Sequence, residues 1–276
     1  MFAGIRRSLS EWLTNYIKRS PPDQAVGLRR RIVAHDTRRY GPDDARTLAS
    51  RVDYAVALHR NGESDLAESE LADVIERAGR TAADADQDFI QLALGWHAKT
   101  LFALRRFADA EGEWRAVSLI REQLYGSDHP VTLDTHESHV AALFRLERFE
   151  EAEAEIADVV ARRTALQGAD SPDTLKVRVT HAQCLDATGR YGESEDAWRE
   201  LTEVKTRVLG AADPGTLDVR ERHAVAKYRL GDFPAAAAEF AEVATLRERT
   251  LGGDHAAAQR AREWHETALA ELGDSC

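Results

Sequence analysis

Five of the ten histidines stand in one register: His97, His139, His181, His223 and His265 are each 42 residues apart. Imidazole titrates near neutrality and ligates zinc, so such a column invites two chemistries, a proton relay or a metal array. Geometry opposes the array. Packed helices lie ~8–10 Å apart, whereas the nitrogens on one zinc ion lie ~2 Å from it. Trp12 and Tyr54 fill the same slot in earlier copies. The expectation is a flat, polar-edged ring filling a recurring slot between helices, with a functional His-rich column as the alternative. His136 and His139, three apart on one helix, could hold a metal as a pair, while His129 and His255 read as turn residues.

Other chemistry finds little footing. Cys184 reads as a small core residue, and with Cys276 it makes neither a disulfide framework nor a zinc site. Gly-x-Ser-x-Gly, P-loop, Gly-x-Gly-x-x-Gly and His-Glu-x-x-His motifs are all missing from the sequence. No catalytic residue, no metal ligand and no cofactor is expected, and the chain reads as a non-enzyme. Glu68, Glu111, Glu153 and Glu195 form a column near helix starts, and Arg121, Arg163, Lys205 and Arg247 one near helix ends. Both suit the helix dipole.

The elements that carry these columns announce themselves by repetition. GSDHPVTL begins at Gly126, GADSPDTL at Gly168, GAADPGTL at Gly210 and GGDHAAAQ at Gly252, each 42 residues after the last. GPDDARTL at Gly41 lies 85 residues before Gly126, two periods plus one, and the copy due near Asp84 has decayed. Glycine ends a helix in a left-handed turn, Asp or Ser caps the next, and proline sits in its first turn. Each phrase is thus a helix stop followed by a helix start.

Between phrases lie paired helical stretches, such as 133–146 and 149–166. Small residues recur at Ala67, Ala110, Ala152, Ser194 and Ala236. Bulky ones follow four later at Leu71, Trp114, Ile156, Trp198 and Phe240, and branched ones three after that at Val74, Val117, Val159, Leu201 and Val243. Spacings of four and three share one helix face. A further small column, Ala55, Ala98, Val140, Ala182 and Ala224, belongs to the first helices. Counting back makes 23–39 a second helix with 2–18 as its partner. Counting forward makes 255–272 a lone first helix, with Glu266 where alanine is due.

The chain has 276 residues, 43% apolar and 31% charged, with formal net charge -11. That excludes disordered and collagen-like classes. The acidic balance argues against nucleic-acid binding, and no apolar run suits a membrane span. The start lacks a signal-peptide core, and two cysteines suit a reduced cytoplasm. The stripe Phe2, Ile5, Leu9, Trp12 and Tyr16 could face a membrane surface, but it agrees with the repeat frame and reads as packing.

This layout resembles the tetratricopeptide repeat family, in the 42-residue variety of kinesin light chain and many bacterial relatives. The carrying residues are the Gly-x-x-x-Pro-x-Thr-Leu phrases at 126–133, 168–175 and 210–217, with Phe149-x-x-Ala152, Tyr191-x-x-Ser194 and Phe233-x-x-Ala236. The resemblance implies an all-α, right-handed superhelical solenoid of about six hairpins plus a capping helix. As one domain over 1–276, it would comprise a degenerate repeat or cap at 1–40, repeats at 41–252 and a capping helix at 253–276. First helices would line a concave groove. There the resemblance puts Phe102, Phe144 and Tyr228, then Arg145 and Arg229 one residue on, Lys99 two residues after the ladder, and Trp96 and Arg222 just before it. Phe102, Phe144 and Tyr228 could equally be packing between repeats. The asparagine that some backbone-gripping relatives carry before the ladder is missing, as is the lysine-and-asparagine clamp of chaperone-tail binders.

The expected function is a non-enzymatic, cytoplasmic scaffold that binds a peptide or partner protein in its groove, without nucleic acid or membrane. Two alternatives stand beside it. One is a signalling-peptide receptor acting on a transcription factor or enzyme; the other is an enzyme or metal-binding protein using the His-rich helices. The connection 79–88, lacking the phrase, is expected to be long and mobile.

Overall fold

The computed structural model describes residues 22–81 and 87–274. Among them the regular structure is twelve α-helices and no strand. The helices are α1 Pro22–Tyr40, α2 Ala45–Arg60, α3 Ser64–Thr81, α4 Gln87–Ala103, α5 Phe107–Tyr125 and α6 Pro130–Arg145. They continue with α7 Phe149–Gln167, α8 Pro172–Ala187, α9 Tyr191–Leu209, α10 Pro214–Arg229, α11 Phe233–Leu251 and α12 Ala256–Asp274. Two compact units, Met1–Leu146 and Glu147–Cys276, divide them six and six. Within each unit, consecutive helices pack on one another. The chain is an all-α repeat solenoid.

The turn phrase works as its residues dictate. Gly126 takes φ 91° and donates its N–H to Glu122 O at 3.0 Å, closing α5. A side chain there would be strained, which is why glycine recurs. The next helix begins on proline in α6, α8 and α10, three residues before the leucine at which periodicity alone starts it. Ser171 Oγ and Asp213 Oδ1 cap α8 and α10, each accepting from a backbone N–H at 3.1 Å. His129 and His255 stand in the same position, accepting through Nδ1 at 3.3 and 3.2 Å. Inside the hairpins the left-handed turn residue is Gly62, Arg105, Glu147, Gly189 and Gly231 in successive copies. Two of these bear a Cβ that the conformation disfavours.

The columns are the core. The small, bulky and branched positions of the second helices are all buried, from Ala67, Leu71 and Val74 to Ala236, Phe240 and Val243. So is the first-helix column of Ala55, Ala98, Val140, Ala182 and Ala224. Each fully buried Val, Leu, Ile or Phe side chain contributes about 1.5–3 kcal/mol. Glu266, in the place that Ala182 and Ala224 bury, is exposed. Helix α1 matches the span counted back from Gly41, and α12 the span counted forward. The expected partner helix 2–18, Trp12, the apolar stripe from Phe2 to Tyr16, Cys276 and the decayed phrase near Asp84 lie outside the described residues. No described helix is long and apolar enough to cross a membrane.

Candidate partner-binding site

The ladder histidines are not isolated rings. His139 Nε2 donates to Glu111 Oε1 at 3.2 Å, His181 Nε2 to Glu153 Oε1 at 3.0 Å, and His223 Nε2 to Glu195 Oε1 at 2.9 Å. Each acid lies 28 residues earlier, on the second helix of the preceding hairpin. His97 keeps Nε2 3.7 Å from Glu68, which lies 29 residues back, and sets Nδ1 2.6 Å from Glu113 Oε1, much as His223 sets its Nδ1 2.9 Å from Glu239. His265 meets Ala237 where the acid is due, and donates to its carbonyl at 2.8 Å. The glutamate column therefore does more than suit a dipole: its carboxylates strap one hairpin to the next. Arginines from the hairpin turns join them, Arg106 on Glu68 at 2.9 Å and Arg190 on Glu153 at 3.0 Å. The constant 28-residue offset between the two columns was the signal in the sequence.

A hydrogen-bonded, largely buried imidazole is a structural member in the first instance. His136 likewise reaches Glu122, at 3.1 Å, a different acid of the same helix α5 that His139 meets. Among the described residues, no group of three His, Cys, Asp or Glu side chains could hold a metal ion. Cys184 is buried, and burial, with the charge of Glu153, pushes its thiol up to about 12, which suits a core residue and not a nucleophile.

The residues expected on the groove divide by environment. In the first unit, Trp96 and Lys99 line a cavity of 230 Å³ between α4, α5 and α6. Lys99 Nζ lies 4.7 Å from the centre of the Trp96 ring, and Arg60 Cζ lies 5.5 Å from it. In the second unit, Arg222 and Arg229 line a cavity of 620 Å³ bounded by α8, α9, α10 and α12, with Trp264 in its wall. Arg229 also covers the ring of Tyr191, and Arg145 that of Phe107, at 5.1 and 4.9 Å. Phe102 packs edge-on against Phe107, with 5.1 Å between ring centres. Tyr228 does the same against Phe233 and Trp264, while its hydroxyl donates to Glu271 at 3.0 Å. That bond raises the Tyr228 pKa. Phe144 is half-buried near the end of α6. Trp96, Lys99, Arg222 and Arg229 thus line cavities, whereas Arg145, Phe102 and Tyr228 have partners inside their own unit.

Two further groups, which the sequence had assigned only to the helix-end and core columns, shape the first cavity. Arg121 and Trp114 of α5 line it beside Lys99. Arg121 Nε donates to Gln91 Oε1 at 2.7 Å, and its Nη1 to Thr135 Oγ1 at 2.6 Å and Val131 O at 3.3 Å. Burial lowers the pKa of Arg121. Lys99 is lowered by desolvation of its ammonium and then by the charge of Arg121. His59 is lowered by burial, then by Lys99 and Arg60. This corner of the first unit is crowded with positive charge.

Comparison with known proteins bears on the fold. The tetratricopeptide repeat family matches residues 98–131 and 216–257. No curated protein matches the chain. Among solved structures, BtubC (BKLC) from P. vanneervenii is similar at 16% identity, covering 86% of this chain and 94% of its own, with a TM-score of 0.66. A candidate kinesin light chain of Podosopora anserina, with nearly identical TPR-like repeats, is similar at 19% identity over 74% of this chain and 96% of its own, with a TM-score of 0.65. YrrB, a TPR protein with an unusual peptide-binding site, shares 15% identity over 84% of this chain and 97% of its own, with a TM-score of 0.56.

Proposed function

We propose that the chain, an all-α repeat solenoid that the tetratricopeptide repeat family matches over 98–131 and 216–257, is a non-enzymatic scaffold that binds a peptide or partner protein on its first-helix face. One observation carries this reading: Trp96 and Lys99 in one unit, and Arg222 and Arg229 in the other, line cavities, while the repeat columns are consumed by packing. Aromatic surface beside cations anchors apolar groups and pairs with acids, the usual composition of a binding hot spot. Peptide binding by YrrB is a precedent for the fold. His139, His181 and His223 are held by glutamates and the one described cysteine is buried, so neither recommends a reaction. The compartment we propose is the cytoplasm, with neither nucleic acid nor membrane as partner.

A photo-crosslinking residue tests this directly. Benzoylphenylalanine at Leu92 or Val225, beside the two cavities, should capture one and the same partner, and at Leu166, exposed on the second helix α7, should not. Equal capture at all three positions would overturn the reading.

A further inference from the structure

Arg247, three repeats after Arg121, shows what an arginine at this position can do when acids face it. Its guanidinium binds Glu221 and, at 2.7 Å, Asp218, and donates to Ala257 O at 3.1 Å. The residues 126 positions earlier are Gly95, Leu92 and Val131. Arg121 keeps the carbonyl contact, to Val131 O at 3.3 Å, but both acids are gone. Where the Glu221 side chain would start, a Cβ on Gly95 would meet Arg121 Nη2 at 3.4 Å. The remaining partners of Arg121, Gln91 and Thr135, are neutral and engage Nε and Nη1. Nη2 has no hydrogen-bond acceptor among the described residues.

Lys99 faces the same 230 Å³ cavity with its ammonium over Trp96, and among the described residues no carboxylate lies within salt-bridge distance of it. One acid, Asp134, also lines the cavity, against these two cations. The charge of Arg60 lies on the same indole ring. Lys99 is exposed and Arg121 half-buried, so a carboxylate from outside can reach both and would make charge-assisted hydrogen bonds to them. Leu92, exposed, and Trp96 offer apolar contact for the methylenes behind such a carboxylate.

We propose that this cavity is a carboxylate-binding site, in which an aspartate or glutamate side chain of the partner peptide takes the place on Arg121 and Lys99 that Glu221 and Asp218 hold on Arg247. The proposal deepens the scaffold reading and rests on it. It selects an acidic segment, although the chain as a whole is itself acidic at -11. The attraction must therefore be local.

The test uses the full chain and fluorescein-labelled hexaglutamate, read by anisotropy at low salt, with labelled hexaglutamine beside it. Wild type should bind the first and not the second. Gly95→Glu, which restores the internal acid, and Lys99→Met should each weaken binding by about tenfold or more, as loss of a charged partner does. Gly95→Ala, adding only the Cβ, should change it by no more than about twofold. Gly95→Glu should melt no lower than Gly95→Ala. Should Gly95→Glu fail to fold, Lys99→Met decides alone. Equal binding by wild type and Lys99→Met overturns the proposal, as does equal binding of hexaglutamine. Inorganic phosphate that binds in a Lys99-dependent way while hexaglutamate does not would make this a phosphate site, and also overturns it. If the crosslinked partner still binds Gly95→Glu unchanged, the carboxylate site fails and the scaffold survives. If crosslinking fails at every first-helix position while hexaglutamate binds as expected, the scaffold reading fails and the anion site stands.

Discussion

Arg121 and Arg247 hold the same place in their repeats, yet their surroundings differ in kind. In the second unit the guanidinium is 2% exposed, and two carboxylates of α10 neutralise it. In the first unit it leans on an amide, a hydroxyl and a carbonyl, with Gly95 and Leu92 where the acids would be. A repeat thus fixes where a cation is delivered, while residues one helix away decide whether it meets carboxylates or only neutral groups. The ladder is the counter-example. His139 in one unit and His223 in the other find the same acid at the same offset.

The contrast predicts unequal costs for equal substitutions. Arg247→Met strands Glu221 and should cost about 3 kcal/mol, the low end for breaking a buried pair because Arg260 still binds that acid at 2.7 Å. Arg121→Met leaves only neutral partners and should cost about 1 kcal/mol. Melts of the two proteins showing equal losses would erase the distinction.

Acid should expose the same difference. Burial pushes the Glu221 carboxyl up, but Arg260 and Arg247 outweigh it and leave the pKa below its ordinary value. A carboxylate with a lowered folded-state pKa lends stability above its unfolded value and loses it as the pH falls through the folded one. The stability gap between wild type and Glu221→Gln should therefore be full above about pH 4.3 and close below it. A gap that is constant down to pH 3 in thermal melts would show that charge is not what Glu221 contributes.

Where the units agree, costs should agree. His139→Ala and His223→Ala should each lose ~1–3 kcal/mol, less than a large apolar truncation because the ring is partly polar. A much larger loss from one of them in matched urea titrations would break the equivalence of the straps.

The smallest effects belong to the hairpin turns. Arg105 in the first unit has φ 62°, where Gly231 in the second has φ 81°. Arg105→Gly should stabilise by about 0.5–1 kcal/mol, and Gly231→Ala should destabilise by about 1 kcal/mol. The same sign for both substitutions in a calorimeter would rule out backbone conformation as the cause.

What the sequence discloses here is whatever repeats. Glycine phrases mark the helix ends, and a small residue followed by a bulky one four later marks the buried face; all of these residues lie where their spacing puts them. The His–Glu straps were present as two columns at a fixed offset, but each column taken alone has a sufficient local explanation. The deviations were harder to see. Gly95 and Leu92 look ordinary until set against Glu221 and Asp218, because their meaning lies in what they fail to supply to Arg121. Rotamers were not legible at all. Phe102 and Tyr228 sit at the expected register, yet each ring has turned onto a neighbour on the following helix.

The offset of the straps also acts as a gauge of repeat length. A histidine finds its glutamate when 28 residues separate them, at 2.9–3.2 Å in three copies. Where the chain carries one residue more, the distance is 3.7 Å. Duplicating or deleting a whole 42-residue copy would keep every surviving strap in register, because each one closes a short loop between neighbouring hairpins. A single inserted residue would instead leave one histidine searching. Gene duplication could therefore lengthen such an array freely, while the ladder penalises any change in the size of its unit.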